Sequence, residues 1–199
     1  MRWPVLLVVI VPPVVLAALG ATHPDHLGGD TADWWTTLHI LLVPLFPLLG
    51  IGHWLLLRDH RGPVAWVARI AAFCYATFYG ALDALAGIAT GTIMRRSGVD
   101  DPADRPEITW LFSAGVDLGD IGARAFLVAS VVTAVLLLRR GGPRAIPGCL
   151  VLVAASVSFL DSHIYWPRGV ITMLGVAVGF GLLAVSERAA AASDSRART

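Results

Sequence analysis

The chain predicts an all-α, polytopic transmembrane helix bundle, and three observations carry that expectation. Apolar runs recur along its 199 residues: 56% are apolar against 15% charged, and mean hydropathy is +0.72. A water-exposed surface is hard to build from such a composition. All seven tryptophans stand at the ends of these runs, as amphipathic indoles do at a membrane interface. Fourteen of the fifteen arginines lie outside the runs or at their edges. The alternation of a membrane barrel strand is absent, and backbone amides in lipid must bond internally, so each run is expected to be helical.

Six runs are long enough to cross roughly 30 Å of hydrocarbon, at about 3–22, 34–57, 66–94, 109–138, 146–164 and 169–187. The first follows Arg2 and contains Pro12-Pro13, a kink that neighbouring helices can hold. Its Ala18-Leu19-Gly20 offers a small-residue cleavage site, but the run exceeds the roughly 7–15 residues of a signal core and is read as a span. The second opens on Trp34-Trp35, ends at Trp54 and carries Pro44 and Pro47. In the third, Gly80, Asp83, Ala84, Gly87 and Gly91 form a small-residue face that allows close helix approach and turns Asp83 inward. The longest connection, Arg95 to Ile108, is rich in Asp and Pro and leads to the fourth. The fifth closes with His163-Ile-Tyr-Trp-Pro-Arg-Gly, an interfacial turn in which Pro167 ends the helix and Gly169 opens the sixth. Residues 1–188 are thus expected to form one domain, and the polar 189–199 a frayed tail.

Arginine placement sets the orientation. With the N-terminus inside, ten of the fifteen arginines are cytoplasmic, while Arg95, Arg96, Arg105 and Arg168 share outer loops with acidic residues. Both termini are therefore expected in the cytoplasm. Arginine without any lysine suits a GC-rich bacterial genome, which points to a bacterial plasma membrane. Net charge +1 and the lack of a basic cluster exclude nucleic acid as a partner. The lipid bilayer is the expected partner, with a membrane protein or a second copy able to dock on the small-residue faces. Cys74 and Cys149 stand alone in apolar stretches, so neither a redox pair nor a disulfide framework is indicated.

Ionisable side chains within a span cost at least ~2.5 kcal/mol, so those that persist are the first candidates for function. They are His39, His53, Asp83, Asp117, Asp120, Arg124, Asp161 and His163. By depth, His39, Asp83, Asp117, Asp120 and His163 gather toward the outer leaflet as a candidate polar pocket. Asp120 and Arg124 are one turn apart and can pair. Tyr79 precedes Asp83 by one turn and can hydrogen-bond it, and Arg124 is an alternative partner for Asp83 across the bundle. His53, beside Trp54, reads as interfacial. In the first outer loop, His23 and His26 can join His39, Asp83, Asp117 or His163 to hold a divalent transition metal such as zinc, iron or manganese. Haem between His39 and His163 is a less favoured subcase.

No HExxH, HxxxH or GxSxG motif and no histidine-box series is present, so no reaction is named. Three functions fit the residues. The first is a metal-dependent or ligand-binding membrane protein using the outward pocket. The second is a small proton-coupled transporter using Asp83 and the Asp120–Arg124 pair. The third is a non-catalytic membrane subunit or assembly factor whose polar residues specify packing.

Overall fold

The computed structural model describes residues 3–196, which contain helices and turns and no strand. Helix α1 spans Trp3–Gly20 and α2 Ala32–Leu56; α3, Pro63–Leu82, runs through a seven-residue π-helix, Asp83–Ala89, into α4, Thr90–Ser97. Then come α5 (Pro106–Gly141), α6 (Ile146–Phe159) and α7 (Arg168–Arg196). Proline in the first turn starts α3, α5 and α6, where its missing N–H is not needed. Gly98, in the left-handed region at φ 66°, closes α4.

Four helical stretches are long and apolar enough to cross a membrane: Ala32–Leu56, Pro63–Ser97, Pro106–Phe159 and Arg168–Ala190. The third doubles back at Gly141–Ala145, for Cys149 Sγ reaches the Ala134 carbonyl (3.3 Å) and Ser156 Oγ donates to Ser130 Oγ (2.8 Å). α1 is apolar but shorter. The outward faces carry large apolar side chains: Phe73, Ile70, Trp110, Leu150 and Ile171 are each more than half exposed. A surface of this kind calls for an apolar solvent. Inside, Leu38, Leu42, Phe46, Tyr75, Phe126, Phe159, Met173 and Phe180 form one close-packed core.

α5 is the central brace, packing on α3, the π-helix and α6, while α7 covers α1 and α6. Gly115, Gly119 and Gly122 form a stripe on α5 that lets it approach α3 and the π-helix; a Cβ at Gly122 would stand 2.9 Å from the Tyr79 amide nitrogen. The small-residue face expected on the third span is only partly used. Gly87 and Gly91 touch α2, but Gly80 has nothing within 4 Å of where its Cβ would be.

The bundle has an acidic end, with loops 21–31, 98–105 and 160–167, and an arginine end, with loops 57–62 and 142–145. At the arginine end, Arg69 lies between the Trp54 and Trp66 rings and donates to the Leu57 and His60 carbonyls. His53 is not interfacial, as its neighbour Trp54 had suggested. It is fully buried, with Nδ1 3.0 Å from Thr133 Oγ1, and Phe126 and Phe180 enclose its ring. Two further boundaries differ from the expected ones. α6 stops at Phe159, five residues before the expected end of the fifth run, and α7 continues to Arg196, where an Ala-rich segment of high helix propensity replaces the expected frayed start of the tail.

Candidate metal centre

Three histidines from three different elements meet at the acidic end. His23 lies just past α1, His39 on α2, and His163 in the loop between α6 and α7. One nitrogen from each lies within 4.8 Å of the other two. The ring centroids are 5.1 Å apart for His23–His39, 5.6 Å for His23–His163 and 6.3 Å for His39–His163.

Local structure dictates each position. α1 ends at Gly20, and the Thr22 and His23 amides bond back to the Leu19 and Gly20 carbonyls, which delivers His23 to the bundle. A Cβ on Gly20 would stand 2.3 Å from the Ile164 carbonyl oxygen, so only glycine lets α1 press against the loop that carries His163. His163 itself adopts a left-handed backbone at φ 40°. A non-glycine residue there costs about 1–3 kcal/mol, and such positions cluster at ligand sites. α6 has 14 residues and rises only about 21 Å, so the segment after Phe159 is unwound inside the depth of the bundle. Ser158 and Ser162 hydroxyls bond Thr172 and help satisfy this region. Irregular backbone at membrane depth is tolerated where protein buries it or a cavity adjoins it.

The π-helix supplies the third wall. Its widened turn frees carbonyls, and the Ala86 oxygen accepts from both the Trp35 indole N–H (3.3 Å) and the Thr90 hydroxyl. Gly87, in the same turn, lies directly against the His39 imidazole: a Cβ there would be 2.1 Å from its Cδ2.

The hydrogen bonds fix which ring nitrogens are available. Carbonyl oxygens can only accept, so His23 Nδ1–H donates to Pro24 O (2.7 Å) and His39 Nδ1–H to Trp35 O (2.7 Å). Nε2 of each ring then carries the lone pair, and that of His23 is buried with no partner among the described residues. Nδ1 of His163 is 2.6 Å from the Tyr79 hydroxyl. With Nδ1–H donating to that oxygen, Nε2 of His163 is the third free ligand. Metal-bound histidines are typically held this way, with the second nitrogen donating to a carbonyl or other acceptor. His23 and His39 are buried, at 6% and 2% exposed, and His163 is half-buried. Burial holds the His23 imidazole below its ordinary pKa, opposed by its Pro24 hydrogen bond and by Asp25.

Beside the cluster is a cavity of about 210 Å³, walled mainly by Trp35, Leu82, Phe112, Val116 and Phe159, with Asp120 also on its lining. Asp120 pairs with Arg124 at 3.1 Å, as the sequence spacing implied. Asp161 is also on the lining and pairs with Arg168 (2.6 Å).

The structure sorts the other candidates. Asp117 and His26 are exposed, away from the three imidazoles. Tyr79 bonds His163 rather than Asp83. Asp83, fully buried at the first position of the π-helix, has neither oxygen hydrogen-bonded among the described residues. His39 and His163 lie nearly parallel, with His23 at their edges and Trp35 packed on His39 (4.9 Å), which leaves no slot for a porphyrin between them. Trp35, Tyr79 and Tyr165, absent from the sequence-level pocket, are all part of it; the Tyr165 ring lies 4.3 Å from His23. Trp35 and Tyr165 signalled only an interface in the sequence, and Tyr79 only its spacing from Asp83.

No family model, curated protein or solved structure matches this chain.

Proposed function

We propose that the chain crosses the membrane six times, with both termini in the cytoplasm of a bacterial cell, and that it holds a divalent transition metal on Nε2 of His23, His39 and His163 beneath its outer surface. What supports the metal most directly is the pairing of two facts: three imidazole nitrogens converge within 4.8 Å, and each ring's other nitrogen is already engaged. Three neutral imidazoles form a ligand set suited to zinc, iron, cobalt or manganese. They leave further positions on the metal open toward the adjoining cavity.

The chemistry of that open side is metal-assisted catalysis. A metal held by His23, His39 and His163 would supply Lewis-acid chemistry, polarising a substrate oxygen or lowering the pKa of a water. The cavity's apolar walls and its two carboxylate–arginine pairs suit a small amphipathic molecule reached from the outer leaflet. Transport is supported less well. The buried polar groups of the arginine half, His53, Ser130, Thr133 and Ser156, are bonded to one another, and Phe126 packs against both the His53 ring and the Tyr75 ring between them and the outer site.

Metal analysis of the detergent-purified protein tests the proposal. Wild type is expected to hold one equivalent of metal and a His39→Ala/His163→Ala variant none. Wild type that binds no zinc, cobalt, iron or manganese, even when supplied with each, would refute it.

A further inference from the structure

Three neutral imidazoles would leave a divalent ion with its full double charge, and Asp83, whose oxygens are not among the atoms that converge within 4.8 Å, is a buried carboxyl on the helix that touches two of the rings. Tyr79, Asp83 and Gly87 follow one another at four-residue intervals along α3 and the π-helix. The first of them bonds His163 through its hydroxyl, and the last lies against the His39 ring. Asp83 therefore stands between the two turns that touch two of the three imidazoles. The Tyr165 ring packs on both His23 and His163.

The Asp83 side chain has no other employment. Asp83 is 0% exposed, and neither oxygen meets a donor among the described residues. The Tyr79 hydroxyl bonds His163 and makes no bond to Asp83, and the Tyr75 hydroxyl, also buried, has no partner among the described residues. A buried carboxyl with both oxygens unmet is costly, and an unseen ion is one of the few things that explains it. The π-helix that begins at Asp83 agrees, since such widened turns occur mostly at functional sites.

We propose that the Asp83 carboxylate is the fourth protein ligand of the metal, swinging by side-chain rotation into the three-imidazole group when the ion is present. This rests on the three-imidazole reading above. Leu82 and Ala86 line the cavity whereas Asp83 does not, so a carboxylate ligand from this position would leave the cavity side open. A set of three nitrogens and one oxygen with open positions suits an ion that accepts five or six ligands, such as manganese(II), iron(II) or cobalt(II), better than four-coordinate zinc.

The test is a titration of full-length protein in detergent with Mn²⁺ and with Co²⁺, following affinity and the visible absorption of bound Co²⁺. It compares wild type, Asp83→Asn, Asp83→Glu and His39→Ala/His163→Ala. Asp83→Asn is expected to bind both ions about 10–100-fold more weakly and to shift the Co²⁺ spectrum, and Asp83→Glu to recover most of the affinity. If Asp83→Asn leaves the Co²⁺ spectrum unchanged while the double histidine variant binds nothing, the carboxylate is not a ligand and the three-imidazole centre stands. If the double histidine variant binds as wild type does, the centre itself is refuted. Should Asp83→Asn fail to fold, Asp83→Glu decides: its longer side chain must alter the Co²⁺ spectrum, and an unaltered one overturns the assignment.

Discussion

Gly87→Ala is the most exacting perturbation of the site short of removing a ligand. The added methyl would stand 2.1 Å from His39 Cδ2, 2.2 Å from its Cγ and 2.5 Å from its Cβ. Ordinary contact begins at 3.4 Å, so the imidazole and the π-helix must part by about 1.3 Å. Overpacking of this kind costs about 1–3 kcal/mol, which lowers the melting temperature without necessarily unfolding the bundle. The effect on the metal is larger in proportion, because coordination tolerates only about 0.2 Å in ligand distance. Affinity for Co²⁺ is therefore expected to fall at least about tenfold, as it does when a group supporting a metal ligand is lost. Gly80→Ala is the control on the same helix. Nothing lies within 4 Å of its Cβ position, and alanine favours helix over glycine by about 0.5–1 kcal/mol, so stability should hold or rise with metal binding unchanged. The assay is a thermal melt of each variant beside a Co²⁺ titration. Gly87→Ala with wild-type affinity would show that His39 is not held where coordination needs it.

Three other perturbations separate the roles around the site. Tyr79→Phe removes the hydroxyl on His163 Nδ1; metal affinity measured by competition with a chelator should fall about 10–100-fold, while metal-free stability falls by about 1–3 kcal/mol, the cost of leaving the imidazole nitrogen unpartnered. In the metal-free protein, burial lowers the His23 pKa in the folded state, so the unfolded chain takes up its proton first as pH falls. This contribution to stability is whole above about pH 6.5 and is lost below it; melts at stepped pH should show a shallower acid decline for His23→Gln, and an equal or steeper decline would contradict the burial. Arg124→Ala leaves Asp120 without its partner within a span, so metal stoichiometry should be unchanged while the melting temperature falls, by an amount set by the cost of an unpaired charge there, at least about 2.5 kcal/mol.

Hydropathy made the bundle legible because a span declares itself by length, and Trp34, Trp54, Trp66 and Trp110 marked the run ends that the helices nearly reproduce. It could not show where a helix unwinds within an apolar run. Leu160 to Ile164 was read as the last turn of the fifth run although it holds Asp161, Ser162 and His163, and Pro167 signals the break only after it has happened. The π-helix was equally hidden, because its cause is tertiary: the Trp35 indole and the Thr90 hydroxyl take up the Ala86 carbonyl. Depth along the spans brought His39 and His163 to one level. It could not separate His23 from His26, which differ only in that the turn after Gly20 aims one inward and leaves the other exposed. It also assigned Tyr79 to its nearest polar neighbour in sequence, Asp83, when the stronger partner lay across the bundle at His163.

The central claim, a metal held by three imidazoles, is tested most directly by X-ray absorption on the metal-loaded wild-type protein. The expected spectrum shows imidazole scattering from three histidines, with first-sphere nitrogen at about 2.0–2.1 Å for zinc, and one or two of those imidazoles missing in His39→Ala. A loaded wild type whose spectrum carries no imidazole scattering, or whose imidazole count is the same in His39→Ala, would contradict the account.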